Sequence, residues 1–147
     1  MVKRQFEYIT YIAATPVKVW NALTEPEFTR QYWQHDNVSD WKPGSVWEHR
    51  RVTKARTVDI VGKVVERLPP RRLVITWAFP ADAARKNKHS KVTIRIEPYR
   101  SLTRLTVTHS GLEAGSDMLE GITDGWPKVI GSLKTLLETG RPLPRLW

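Results

Sequence analysis

The stretch DMLEGITDGWPKVIGSLKTLLET, residues 117–139, decides the architecture of this chain. Its apolar residues Met118, Ile122, Trp126, Val129, Ile130, Leu133, Leu136 and Leu137 recur at spacings of three and four. That is the period at which one face of an α-helix repeats. Asp117, with Glu120 three residues on, predicts the start, and Gly140 with Pro142 predicts the stop. Pro127 is placed to kink the helix or to begin its straight part. A stripe of roughly six turns at helical pitch cannot face water along its whole length. It needs an apolar surface to lie on.

The residues before it supply one. Residues 102–109 place Leu105, Val107 and His109 on one side and Arg104, Thr106 and Thr108 on the other. Residues 91–97 do the same with Val92, Ile94 and Ile96 against Thr93, Arg95 and Glu97. In residues 72–79 the sequence RLVITWAF puts Leu73, Ile75, Trp77 and Phe79 together. Further strands are predicted at 57–67 and 45–51. One apolar face and one wet face mark an antiparallel sheet. Pro69-Pro70 ends one strand, and Lys42-Pro43-Gly44-Ser45 has Pro and Gly at the centre of a type II turn. The connections are short, so sequence neighbours should pair as hairpins.

Toward the N-terminus, residues 5–13 (QFEYITYIA) read as a first strand. Thr15-Pro16 opens a helix carrying Val17, Trp20 and Leu23. Thr24-Glu25-Pro26-Glu27 opens another, with Thr24 and Glu27 spaced as a capping box and Phe28, Tyr32 and Trp33 on its apolar side. Both are too short to be stable alone. The order is therefore strand, two short helices, a run of about five strands by alternation, and the long helix. No internal repeat or linker interrupts it, and the expectation is a single domain over 1–147.

Composition excludes several classes of function. There are no cysteines, so no disulfide framework, thiolate metal site or thiol nucleophile exists. The N-terminal residues lack the unbroken apolar run of a signal peptide, and no apolar run approaches a membrane span. A soluble, cytoplasmic protein is the expectation. The net charge is +9, from 24 basic and 15 acidic residues. Its densest runs, His49-Arg50-Arg51 with Lys54 and Arg56, Arg71-Arg72, and Arg85-Lys86 with Lys88 and Lys91, adjoin loops or strand ends. Aromatic stacking residues do not interleave them, so only weak, sequence-independent nucleic-acid binding is expected. Seven tryptophans, at 20, 33, 41, 47, 77, 126 and 147, are spread along the chain. Such side chains build cores and line ligand cavities alike.

The motifs Ala14-Thr15-Pro16, Val19-Trp20-Asn21-Ala22-Leu23-Thr24, Tyr32-Trp33, Ser39-Asp40-Trp41-Lys42-Pro43-Gly44-Ser45, Pro69-Pro70-Arg71-Arg72-Leu73 and Gly125-Trp126-Pro127-Lys128 resemble, in order, those of the SRPBCC (START/Bet v-like) superfamily. More narrowly, the chain is similar to the bacterial single-domain proteins named after the activator of the heat-shock protein 90 ATPase. The resemblance implies an α+β helix-grip fold, with a bent antiparallel sheet of six or seven strands around the C-terminal helix. It also implies an elongated cavity between the two. Relatives bind lipids, sterols and hormones, cyclise polyketides or assist chaperones, and fold alone does not choose among these.

The candidate site follows from both readings. Trp33, Trp47, His49, Trp77, Phe79, His109, Met118, Ile122 and Trp126 are the expected ligand-binding residues. His109 stands out because alternation turns it inward, where it could bond a ligand or act as acid or base. Its alternative is a core-edge histidine bonded to backbone or water. Glu48, Asp59 and Glu66 are carboxylates expected on a solvated face. Gly121 and Gly125, a turn apart, leave room for a ligand or for close approach of the helix. No histidine pair has metal-ligand spacing, and no phosphate-cradling loop, redox motif or Ser-His-Asp set occurs, so no metal or cofactor is implied. The expected partner is a small apolar or amphipathic ligand. The alternatives are a cavity enzyme of the polyketide-cyclase type and a chaperone-associated interaction protein.

Overall fold

Thr15 and Pro16 start the first helix as their residue types dictate. The Thr15 hydroxyl accepts the Lys18 backbone N–H at 3.3 Å, and Pro16 occupies the first turn, where no N–H is required. In the computed structural model, which describes residues 2–145, the elements run as follows. Strand β1 spans Lys3–Ile12, helices α1 and α2 span Pro16–Thr24 and Pro26–Tyr32, and β2 spans His35–Val38. Then come β3 (Val46–Arg51), β4 (Val58–Leu68), β5 (Arg72–Trp77), β6 (Ser90–Tyr99), β7 (Leu102–Glu113) and α3 (Asp117–Thr139). Two single 3-10 turns, Pro80–Asp82 and Lys86–Lys88, lie between β5 and β6. Trp147 lies outside the described residues.

The strands form one seven-stranded antiparallel sheet in the order β1-β7-β6-β5-β4-β3-β2. From β2 to β7 every neighbour in sequence is a neighbour in space, and β1 closes the other edge on β7. The sheet bends at β4. There the Trp47 indole of β3 crosses Gly62 and donates to the Thr76 carbonyl of β5 at 2.8 Å. A Cβ on Gly62 would sit 1.9 Å from that carbonyl oxygen and 2.5 Å from the indole nitrogen. Only glycine permits the crossing. The Lys63 N–H turns to the Thr76 hydroxyl instead of a ladder carbonyl, and the register shifts between Val64 and Glu66. Such irregularities bend a strand.

Helix α3 covers the concave face. Ile122, Trp126, Val129, Ile130, Leu133 and Leu136 are buried in one core with Ile12, Leu73, Ile75, Ile94, Ile96, Leu105 and Val107 from the sheet. The second half of the helix is tied to the end of β1. The Glu138 carboxylate accepts the Ala13 N–H at 2.8 Å, and the Lys134 ammonium donates to the Tyr11 carbonyl at 2.8 Å. Gly140 ends the helix in the left-handed region, at φ 85°.

Five details differ from the sequence reading. Ser116, not Asp117, caps α3, accepting the Leu119 N–H at 3.1 Å; Asp117 is the first helical residue. The capping box at α2 does not form, because the Thr24 hydroxyl is spent on the Trp20 carbonyl at 2.9 Å. Val17 faces solvent, and Val19 takes the core position on α1. Phe79 leaves the face it shares in alternation with Trp77, because β5 ends at Trp77. Beyond it only the Val61–Ala78 bridge continues the pairing. The short β2 adds a strand that alternation does not reveal.

Candidate functional site

The two halves of α3 pack differently. The second half closes on the sheet. The first half passes over β5 and Phe79, where Gly121 and Gly125 offer no side chain to fill the gap. A Cβ at either position would meet nothing within 4 Å. The result is a cleft of about 230 Å³. Trp33, Ile60, Trp77, Phe79, Met118, Ile122, Trp126 and Val129 line it with the two glycines, and Asp117 is its one charged lining residue. Phe79, 43% exposed, stands at the rim, while Trp77 and Trp126 are buried.

Six of the residues expected at the site, Trp33, Trp77, Phe79, Met118, Ile122 and Trp126, thus meet around one cleft. The other three, Trp47, His49 and His109, do not line it. They form a layer behind it, packed against Trp77 with ring centroids 5.3, 6.2 and 5.3 Å from its own. Ile60 and Val129 join the lining. Their signals were present: Val129 lies four residues after Gly125, and Ile60 precedes Gly62 by one strand period.

His109 is fully committed to the protein. The Trp126 indole donates to its Nδ1 at 3.0 Å. The ring proton therefore sits on Nε2, which donates to the Ser90 hydroxyl at 2.8 Å. Ser90 in turn donates to the Trp77 carbonyl at 3.1 Å. The chain runs from helix to sheet with every donor matched to an acceptor. Burial pushes the His109 pKa down to about 3, so the ring is neutral at ordinary pH. Both ring nitrogens are bonded within the protein, and the residue has no exposed surface.

His49 is similarly occupied. Its Nδ1 donates to the Asn37 side-chain carbonyl at 2.6 Å, and its ring stacks on His35 with centroids 3.8 Å apart. Burial first, and then the charge of His35, hold it well below the usual histidine range. His35 reaches the Trp33 carbonyl and the Asp59 carboxylate, each at 2.8 Å. Burial acts to raise the Asp59 carboxyl, but hydrogen bonds from Arg51 and His35 outweigh it and leave the group below the usual range. Trp47 spends its N–H on Thr76, as described above.

The basic run that dominates the sequence between 49 and 56 is largely neutralised by local acids. Arg50 pairs with Glu48, Arg51 with Asp59 at 2.8 Å, and Arg56 with the buried Asp36 at 2.9 Å. The strand carboxylates Glu48, Asp59 and Glu66 are thus paired at the surface, Glu66 with Arg72 at 3.1 Å. Among the described residues, no helix is long and apolar enough to cross a membrane.

Known proteins share this fold. Residues 13–138 match the family model described as Activator of Hsp90 ATPase homolog 1-like protein. The Aha1 dimer of Colwellia psychrerythraea has a similar structure, with TM-score 0.76 and 22% identity over 95% of this chain and 98% of that one. So does PFC0360w, an HSP90 activator from Plasmodium falciparum, with TM-score 0.73 and 23% identity over 94% and 97%. DynU16, from the dynemicin biosynthetic locus, matches with TM-score 0.73 and 21% identity over 94% of this chain and 48% of its own. Likeness at these identities extends to the fold alone. No curated protein matches the sequence. The order of elements, the seven-stranded sheet gripping α3 and the match over most of the chain place this protein in the Activator of Hsp90 ATPase homolog 1-like family of the SRPBCC superfamily.

Proposed function

We propose that this protein binds a small apolar or amphipathic molecule in the cleft beneath the first half of α3. The observation that carries the reading is a concave, aromatic-lined surface kept open by two helical glycines. Each glycine costs the helix about 1 kcal/mol relative to alanine. Nothing in the local packing demands that cost, since a Cβ would meet open space at both. Apolar pockets with few polar groups suit ligands of this kind.

A cyclase reading needs an acid or base facing the ligand. His109, expected as the acid or base, is engaged behind the cleft wall, as is His49, which favours binding over turnover. The chaperone reading rests on the family's name, and stimulation of a heat-shock protein 90 ATPase by the purified protein would test it. Native mass spectrometry of the protein purified from its host tests the leading reading. A retained small molecule, displaced when the cleft is filled by mutation, supports it. Purification without any adduct, together with no saturable binding of added apolar ligands, contradicts it.

A further inference from the structure

Among the described residues the sheet has two edges, β2 and β1, and they are finished differently. Strand β2 has four residues and lies against α2, whose Thr29 hydroxyl accepts the Asn37 backbone N–H at 3.2 Å. Strand β1 has ten residues, and only its end is covered. There the Lys134 ammonium takes the Tyr11 carbonyl and the Glu138 carboxylate takes the Ala13 N–H. Shortness and cover are what keep an edge strand from pairing with another chain. The first part of β1 has neither.

The phase of the backbone shows which groups are left. Successive residues of an edge strand turn their N–H and C=O alternately to the neighbouring strand and to the open side. The Val2 carbonyl accepts the Ala114 N–H at 3.1 Å, so the even-numbered residues bond toward β7. Tyr11 and Ala13, which bond to the helix side chains instead, are odd-numbered. The register shift beside Gln5 puts its extra residue in β7 and leaves the phase of β1 intact. The backbone groups of Lys3, Gln5, Glu7 and Ile9 therefore point away from the sheet. Their side chains are exposed, Ile9 by 49%.

This free edge runs from Lys3 to Ile9, and its midpoint is Phe6. A second copy laid antiparallel about a two-fold axis at Phe6 matches it from end to end. Lys3 then faces Ile9, Gln5 faces Glu7 and Arg4 faces Tyr8, so no like charges are directly opposed. The lysine stem covers the exposed isoleucine. Each Glu7 has the partner's Lys3 on one diagonal and the partner's Glu7 on the other. Lys3 is available for this, because Glu113 lies 3.9 Å from it but 3.2 Å from Lys88. An axis one residue further on would set Glu7 against Glu7. The outward residues would exchange about eight backbone hydrogen bonds, two for each opposed pair.

We infer that β1 is a homodimer interface, in which two copies join antiparallel through their Lys3–Ile9 edges into one continuous sheet. A contact of this length falls at the small end of specific interfaces, so the dimer forms with rising protein concentration.

Sedimentation velocity of the full chain over a concentration series tests this. Wild type should dimerise. Gln5→Pro removes an outward N–H that β7 does not use, and should weaken the dimer about tenfold or more. Glu7→Lys sets lysines on both diagonals and should weaken it about tenfold. It is a surface exchange, so its circular dichroism should match that of wild type. Lys3→Glu combined with Glu7→Lys should restore the dimer. The chain has no cysteine, so Phe6→Cys reports only contact with a second copy. It should form a disulfide-linked dimer on mild oxidation, because residues opposed in a non-hydrogen-bonded pair lie within disulfide reach. A wild type that stays monomeric at millimolar concentration would overturn the inference. So would a dimer that Gln5→Pro and Glu7→Lys leave intact, or a monomer that instead adds an unrelated extended peptide to β1.

Discussion

The Trp126 indole on α3 donates to Nδ1 of His109 on β7 at 3.0 Å, joining the long helix to an inner strand of the sheet. One bond thereby settles the tautomer of the histidine, engages the Ser90 hydroxyl and anchors the carbonyl of Trp77. The cleft wall formed by Trp77 and Trp126 is thus held from behind by a satisfied polar chain. Such chains favour one arrangement of a core over others, because breaking any member leaves a buried group unpaired.

This chain makes stability depend on pH in a defined window. His109 is held down to about 3, against an ordinary value of 6.5, so the folded state favours the neutral ring. Between these values the unfolded chain binds the proton and the native ring does not. Stability is therefore complete above pH 6.5 and falls as pH drops toward 3, by up to about 1.4 kcal/mol per pH unit. His49, shifted in the same direction, adds to the slope. Urea denaturation across pH 7.5 to about 4.5 should show wild type losing stability more steeply than His109→Gln, by roughly one proton. Parallel curves would contradict this assignment.

Gly62 marks where backbone chemistry limits substitution. Gly62→Ala would drive a Cβ to 1.9 Å from the Thr76 carbonyl oxygen, and backbone atoms cannot yield as a flexible side chain can. The expected cost is about 3 kcal/mol or more, with loss of the Trp47–Thr76 hydrogen bond. Denaturant unfolding measures it. A variant within about 0.5 kcal/mol of wild type, the range of ordinary surface changes, would show that the crossing is not tight.

Much of this architecture is legible in the sequence. The α3 stripe and the alternation in β5, β6 and β7 each bury one face, so their periods report the fold directly. Strand β2 is not legible, because its sequence HDNV has no apolar alternation. Its buried residues are polar: Asp36 pairs with Arg30 and Arg56, and Asn37 with His49. The site is legible in part. Periodicity can place a residue on the inner face but not at a depth within it. Trp47, His49 and His109 do point inward, yet Trp33, Trp77 and Trp126 stand between them and the cleft. Phe79 shows the converse, since a strand that ends two residues early leaves its side chain at the rim.

The charge pattern predicts weak, sequence-independent contact with nucleic acid. The local pairing of Arg50, Arg51 and Arg56 reduces the cation available to phosphate. Fluorescence anisotropy with labelled duplex should detect binding only at low ionic strength, lost between about 50 and 200 mM salt as counterion release requires. Sequence-selective binding that persists at about 150 mM salt would overturn this.

The cleft itself is the central claim, and Gly125→Leu addresses it most directly. The added side chain enters open space, so the domain should fold with equal or slightly greater stability, leucine being about 0.8 kcal/mol the better helix former. The decisive measurement is titration of wild type and Gly125→Leu with fatty acids, sterols and aromatic polyketides, followed by tryptophan fluorescence. The account predicts saturable quenching of wild type by at least one member of the panel, reduced at least tenfold in affinity in the folded variant. No saturable binding by wild type, or undiminished binding by the variant, would contradict it.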